Sequence, residues 1–142
     1  MIQVKGLTKY YGSSRAIYDL GFTIESGQIA GFLGLNGAGK STALKILAGY
    51  LMPTSGTVSI EGIDLLNEPE KLRPRIGFLP EQPPLYPEMS VRDFLGYLAR
   101  LRGYPAGRIG ARIEEVSERT SLKEVLGAPI ETLSLGYRRR VG

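Results

Sequence analysis

The chain contains no cysteine and no histidine among its 142 residues. Without cysteine it has no disulfide framework and no thiolate metal site, and without histidine no imidazole can serve these residues as general base or metal ligand. No apolar run approaches the roughly 18 residues of a membrane span, and the first residues lack the charged and apolar regions of a signal peptide. If a membrane matters to this chain, a partner must provide the contact.

The composition is that of an ordinary soluble domain, or of part of one. Apolar residues make up 42% of the chain and the net charge is +4, with a mean hydropathy of −0.06. Part of the positive excess is local, because Arg138, Arg139 and Arg140 are consecutive. There is no long basic stripe and little aromatic interleaving, so we expect no nucleic-acid partner.

The most informative segment is Gly34–Ser41, which reads Gly-Leu-Asn-Gly-Ala-Gly-Lys-Ser. It fits the pattern G-x-x-x-x-G-K-[ST] of a phosphate-binding P-loop. The apolar residues before it predict a buried strand at Gln28–Leu33, and Ser41–Ala48 predicts a helix that ends at Gly49. The predicted apolar face of that helix consists of Ala43, Leu44, Leu47 and Ala48.

The residue types of this loop suit a phosphate chain. A helix N-terminus offers free N–H groups and the positive end of the helix dipole. Glycines let the backbone approach the phosphate oxygens, the lysine can reach the β- and γ-phosphates, and the serine hydroxyl can bind Mg²⁺. The predicted nucleotide contacts are Gly34, Asn36, Gly37, Ala38, Gly39, Lys40, Ser41 and Thr42.

Hydrophobic patterning and turn residues predict an α/β chain in two parts, residues 1–88 and residues 89–142. The predicted strands are Ile2–Leu7, Ala16–Ile24, Gln28–Leu33, Thr57–Ile60 and Ile76–Leu79. Four prolines between Pro80 and Pro87 exclude a helix or a central strand there. Ser90–Asp93 matches a capping box, and residues 90–126 are predicted to be helical. A short helix is predicted at Pro69–Arg75.

A second motif indicates which class of P-loop protein this chain resembles. It reads Leu133-Ser-Leu-Gly-Tyr137 and continues as Arg-Arg-Arg-Val-Gly142. At this distance from the P-loop it resembles the signature of ATP-binding-cassette (ABC) ATPases in its LSxGYxxRVG form, and the resemblance covers the whole chain. It implies a P-loop NTPase core with antiparallel strands at the N-terminus, a helical subdomain, and a chain that is truncated within the cassette. A P-loop kinase is the weakest candidate because it leaves Leu133–Tyr137 unexplained.

The resemblance implies roles for residues outside the P-loop. Tyr11, just before Gly12, takes the place of the aromatic residue that stacks on adenine, with Tyr10 as the fallback. Stacking accepts any flat base, so this contact adds affinity more than selectivity. Glu81, or the neighbouring Gln82, takes the Q-loop place and approaches Mg²⁺ and the attacking water. Ser134 and Gly136 lie in the signature, which binds the nucleotide of a second subunit.

The resemblance implies ATP binding and hydrolysis coupled to a transmembrane permease. The implied direction of transport is export, as in ATPases of ABC-2-type exporters. The subunit works in a head-to-tail dimer at the inner face of the cell membrane. No Walker B Asp-Glu pair or switch histidine follows the signature in this sequence. We therefore expect weak Mg·ATP binding and no appreciable turnover by this chain alone. A non-hydrolysing module or remnant that pairs with a full-length ATPase is the alternative; a non-transport ABC ATPase is a weaker one.

Overall fold

Two units make up the chain in the computed structural model, which describes every residue from Met1 to Gly142. The first unit is Met1–Phe78 and the second is Leu79–Gly142. The boundary lies upstream of the position after residue 88 that the sequence predicts. The proline-rich segment therefore belongs to the second unit.

An antiparallel sheet of four strands forms the framework of the first unit. The strands are β1 (Ile2–Tyr11), β2 (Ser14–Ile24), β3 (Ser55–Ile60) and β4 (Ile63–Asp64), in the order β2-β1-β3-β4. A two-residue turn joins β1 to β2, with Tyr11 opposite Ser14. The strands predicted at residues 2–7, 16–24 and 57–60 are confirmed, and each is longer than its sequence pattern indicates.

Two helices pack on this sheet, α1 (Lys40–Leu47) and α2 (Pro69–Leu72), the latter continuing as a 3₁₀ turn at Arg73–Arg75. The predicted apolar face of α1 is partly wrong: Leu44 is 44% exposed, whereas Ile46 is fully buried. The sheet receives the stripe that runs through positions 43 and 46, and position 44 points away from it. The buried core consists of Val4, Leu7, Ile17, Ala43, Ile46, Val58, Leu65 and Leu72.

The strands predicted at Gln28–Leu33 and Ile76–Leu79 are absent, and both segments run without regular secondary structure. The burial predicted for the first is also wrong, since Ile29 is 103% exposed and Leu33 is 94% exposed. A strand exists only when its N–H and C=O groups meet those of a neighbour. None of the four strands pairs with either segment, so neither forms a strand. Ile76 of the second segment nevertheless packs against the core of the unit.

The second unit is helical, as predicted. It contains α3 (Val91–Leu101), α4 (Ala106–Arg119) and α5 (Leu135–Val141), with 3₁₀ turns at Lys123–Val125 and Ile130–Thr132. The predicted cap of α3 is confirmed, because the Oγ of Ser90 accepts a hydrogen bond from the Asp93 N–H at 3.1 Å. The core of the unit consists of Val91, Phe94, Ile109, Ile113, Leu122, Leu126, Ile130, Leu133 and Val141.

The helices are all short. None of them combines the length and the apolar character that crossing a bilayer would require.

Candidate nucleotide-binding site

The segment Gly34–Ser41 forms a loop that leads directly into α1. Gly37 and Gly39 have φ angles of +85° and +83°, in a region that residues with a Cβ rarely adopt. Gly39 is the N-cap residue, and α1 begins at Lys40. The first N–H groups of α1 have no partners within the helix, so the loop presents donors together with the positive end of the helix dipole.

Lys40 folds back into the loop. Its Nζ donates hydrogen bonds to the carbonyl oxygens of Gly34 and Leu35, both at 2.7 Å. These bonds hold the ammonium group beside the N-terminus of α1, where its charge adds to that of the helix dipole. The arrangement concentrates positive charge at one place on the surface and suits a ligand with several negative charges.

The three glycines of the loop differ in how well their positions would accept a side chain. A Cβ on Gly39 would lie 2.3 Å from the carbonyl oxygen of Ala16 and 3.0 Å from Ile17, so β2 excludes any side chain there. A Cβ on Gly37 would meet nothing within 4 Å, and only its φ angle favours glycine. Gly34 has no positive φ, and its nearest neighbour would be Ala38 at 3.5 Å, an ordinary contact.

A cleft of about 400 Å³ lies beside the loop, along β2. Its lining is mostly apolar, with one cationic side chain, that of Arg15. The lining residues are Arg15, Ala16, Ile17, Tyr18, Leu20, Phe32, Ala38, Gly39 and Ala43. Arg15 could not be predicted from the sequence, because a single basic residue in a strand carries no motif.

The residues expected to bind adenine and Mg²⁺ are accessible. Tyr11, at the end of β1, is 51% exposed, with the Nζ of Lys9 lying 5.3 Å from its ring centre; Tyr10 is 37% exposed. Ser41 is exposed in the first turn of α1. No group of three or more acidic residues could hold a metal ion by itself.

The remaining predicted site residues belong to the second unit. Glu81 and Gln82 are both exposed in the proline-rich segment. Ser134 is the N-cap of α5, and its Oγ accepts a hydrogen bond from the Tyr137 N–H at 3.4 Å. Gly136 follows in the first turn of α5 and is exposed. Their contacts with a nucleotide stay predictions.

One arginine of the run Arg138–Arg140 has a structural contact. The Nη1 of Arg140 donates to the carbonyl oxygens of Thr120 and Ser121, at 3.4 and 3.2 Å, where α4 ends. Its guanidinium lies 4.2 Å from the ring centre of Tyr137. The sequence could not predict these bonds, because the partners are 19 and 20 residues away along the chain.

An aromatic cluster adjoins the proline-rich segment. The ring of Tyr86 lies 5.7 Å from that of Tyr97 and 6.0 Å from that of Phe94. A hydrogen bond with Tyr86 raises the pKa of the Tyr97 hydroxyl. Tyr86 is 46% exposed. The second unit therefore carries an accessible tyrosine, Tyr86, within the proline-rich segment that also contains Glu81.

Comparison with known proteins identifies relatives of the whole chain. The family described as "ABC transporter" matches residues 17–142. The chain is 36% identical over 128 residues to the ABC transporter ATP-binding protein NatA of Bacillus subtilis (strain 168), covering 89% of this chain and 52% of NatA. It is 36% identical over 141 residues to the Nod factor export ATP-binding protein I of Ralstonia nicotianae, covering 99% of this chain and 44% of that protein.

A solved cassette has the same fold. The dimeric structure of MJ0796, a bacterial ABC transporter cassette, superposes with a TM-score of 0.86 at 28% identity, covering 99% of this chain and 66% of that one. The same cassette has been solved in a post-hydrolysis state bound to ADP and Pi, with a TM-score of 0.85 at 26% identity and the same coverage. The chain thus spans about half the length of the two relatives and about two thirds of the solved cassette.

Proposed function

Because this chain belongs to the ABC transporter family, we propose that it is the ATP-binding part of a transporter ATPase subunit. The observation that carries the proposal is the loop Gly34–Ser41, in which Lys40 is held against the loop carbonyls beside the N-terminus of α1. Members of the family hydrolyse ATP. A solved relative has been found with ADP and Pi.

The residues of the first unit have distinct tasks toward Mg·ATP. The N–H groups of the loop and of the first turn of α1 bind phosphate oxygens, and Lys40 binds the β- and γ-phosphates. Tyr11 stacks on the adenine ring. Mg²⁺ neutralises part of the phosphate charge, and the Ser41 hydroxyl is its ligand from this unit. Glu81 is a candidate second ligand from the proline-rich segment.

The second unit contacts the two partner proteins, a second ATPase subunit and a transmembrane permease. Ser134 and Gly136 bind the nucleotide held by a second ATPase subunit, in the head-to-tail arrangement that the signature implies. The segment Pro80–Pro87 and the aromatic cluster around Tyr86 dock a transmembrane permease, because the exposed Tyr86 and the half-buried Tyr97 offer both apolar area and hydroxyl groups. The subunit then lies at the inner face of the cell membrane.

Export is the proposed direction of transport. Glu81 and the Pro-Leu-Tyr-Pro run at residues 84–87 resemble the ABC-2-type exporters, and one of the relatives is named for Nod factor export. The cargo is chosen by the permease in this family, so nothing in these residues selects it. We propose that the chain alone has no appreciable turnover, because a missing general base typically costs about 10²–10⁴-fold in rate.

A fluorescent-ATP titration with Mg²⁺ tests the proposal. We compare the wild-type chain with Lys40→Ala and with Lys45→Ala, a lysine in the last turn of the same helix. Charge-assisted hydrogen bonds contribute about 1.5–3 kcal/mol, so Lys40→Ala should raise Kd about 10- to 100-fold. Lys45→Ala should stay within about twofold. Absence of saturable binding by the wild type, or equal Kd values for all three proteins, would contradict the proposal.

A phosphate-release assay on the same samples tests the turnover claim. Steady release by the purified chain that disappears in Lys40→Ala would show that the chain hydrolyses ATP without further residues. Release that is equal in both proteins would indicate a contaminating ATPase.

A further inference from the structure

The side chain of Arg15 has no assigned task, although it lines the cleft beside the phosphate loop. We propose that Arg15 is a second cation of the nucleotide site and binds the phosphate chain from the side of β2. This inference rests on the proposed function and deepens it, because it assigns a further binding residue to the same site.

Arg15 lies close to the phosphate loop. Ala16, the residue after Arg15, has its carbonyl oxygen so close to Gly39 that a Cβ there would lie 2.3 Å from it. Arg15 and the loop residues Ala38 and Gly39 line the same cleft of about 400 Å³. A long side chain that starts one residue from this contact can reach a ligand bound on the loop.

The guanidinium of Arg15 has no acidic partner in the structure. Arg15 takes part in none of the six ion pairs of the structure, whereas Arg75, Arg92, Arg112 and Arg119 are each paired with a glutamate. Its side-chain contact is with the ring of Tyr18, whose centre lies 5.2 Å from the Cζ. Tyr18 is 65% exposed. Contact with a ring restrains the guanidinium and leaves N–H donors free for an anion.

The lining of the cleft favours an anionic ligand. Its other side chains are apolar apart from the Tyr18 hydroxyl, and no acidic residue lines it. Arg15 is thus the one formal charge of the cleft, next to a loop that already concentrates positive charge at Lys40. A planar guanidinium binds phosphate oxygens in pairs, which a point charge cannot do.

Competition between fluorescent ATP and sodium tripolyphosphate tests the inference. The proteins are the wild type, Arg15→Ala, Arg15→Lys and Arg73→Ala, an exposed arginine of the same unit outside the cleft. We expect Arg15→Ala to weaken the binding of Mg·ATP and of tripolyphosphate by the same factor, about three- to tenfold. Arg15→Lys should recover part of the loss, because it restores the charge without the paired donors. Arg73→Ala should match the wild type.

The outcomes separate the claims. If Lys40→Ala weakens binding while Arg15→Ala does not, the inference fails and the proposed function stands. If Arg15→Ala weakens the binding of ATP but leaves the binding of tripolyphosphate unchanged, the guanidinium contacts the base or ribose. The assignment of Arg15 to the phosphate chain is then overturned. If the wild type binds neither ligand, both claims fail. Thermal melts of the four proteins, expected to coincide, show that a loss of binding is not a loss of fold.

Discussion

The carbonyl oxygen of Ala16 lies against Gly39, so close that a Cβ on this glycine would be 2.3 Å from it. This contact joins the edge strand β2 to the residue from which α1 starts. It fixes the N-terminus of α1, and with it the loop donors and Lys40, relative to the sheet. The position of the phosphate site therefore depends on a glycine that no other residue can replace.

Substitution of Gly39 by alanine should damage both stability and binding. The φ of +83° costs a residue with a Cβ about 1–2 kcal/mol, and the overlap with Ala16 adds about 1–3 kcal/mol. We expect urea denaturation to show a loss of about 2–5 kcal/mol, together with weaker fluorescent-ATP binding.

Gly37→Ala is the matched control, because Gly37 has nearly the same φ but nothing within 4 Å of its Cβ position. It should lose about 1–2 kcal/mol, from backbone strain alone. Equal losses for the two variants would show that β2 does not press on the loop.

The segment around Ile29 and Leu33, before the phosphate loop, should make the chain prone to association without contributing to its stability. Ile29 and Leu33 are almost fully exposed, and their backbone is unpaired. Such apolar, unpaired segments favour association. The double variant Ile29→Thr, Leu33→Thr should reduce ANS fluorescence and the aggregate fraction in sedimentation velocity, and change the free energy of unfolding by less than about 0.5 kcal/mol.

Leu7→Ala provides the contrast, since Leu7 is fully buried in the same unit. It should cost about 2–5 kcal/mol. A loss of similar size in the threonine variant would mean that Ile29 and Leu33 are packed in solution.

Replacing Arg140 or its neighbour Arg139 by alanine should change the free energy of unfolding to different extents. Arg140 donates to the carbonyl oxygens of Thr120 and Ser121, directly after α4, and lies over Tyr137, whereas Arg139 is exposed and takes part in no ion pair. We expect Arg140→Ala to lower the free energy of unfolding by about 0.5–1 kcal/mol. Arg139→Ala should lie within about 0.3 kcal/mol of wild type. The reverse order in urea melts would refute the assigned contact.

Asp64 should make a pH-dependent contribution to stability. Its carboxylate accepts hydrogen bonds from the N–H groups of Asn67 and Leu66, which hold its pKa below the ordinary value of 3.8. Because the folded pKa is the lower one, the contribution is present above the unfolded pKa and disappears as pH falls through the folded pKa.

Melting temperatures of wild type and Asp64→Ala should therefore differ near pH 6 and converge at acid pH. Asp64→Asn keeps an acceptor oxygen without the titration and should show a weaker pH dependence than wild type. A Tm difference between wild type and Asp64→Ala that grows on acidification would contradict the argument.

The comparison of sequence with structure separates local from non-local signals. The phosphate loop and the Ser90 cap could be predicted because their residues interact within a few positions along the chain. The prediction of a strand at Gln28–Leu33 is wrong because a strand needs a neighbouring strand to pair with as well as an apolar pattern. A local sequence pattern does not reveal whether such a neighbour is present. The burial of Ile46 in place of Leu44 likewise depends on where the sheet lies.

Binding of nucleotide phosphate at Gly34–Ser41 can be located residue by residue through amide chemical-shift mapping. ¹⁵N-labelled wild type and Lys40→Ala are titrated with Mg·ATP. The account predicts that the largest shifts of the wild type fall on the amides of Gly37 to Ser41, with smaller ones at Arg15 and Ala16, and that Lys40→Ala loses them at the same concentration. Saturable shifts confined to other residues, or identical shifts in both proteins, would contradict it.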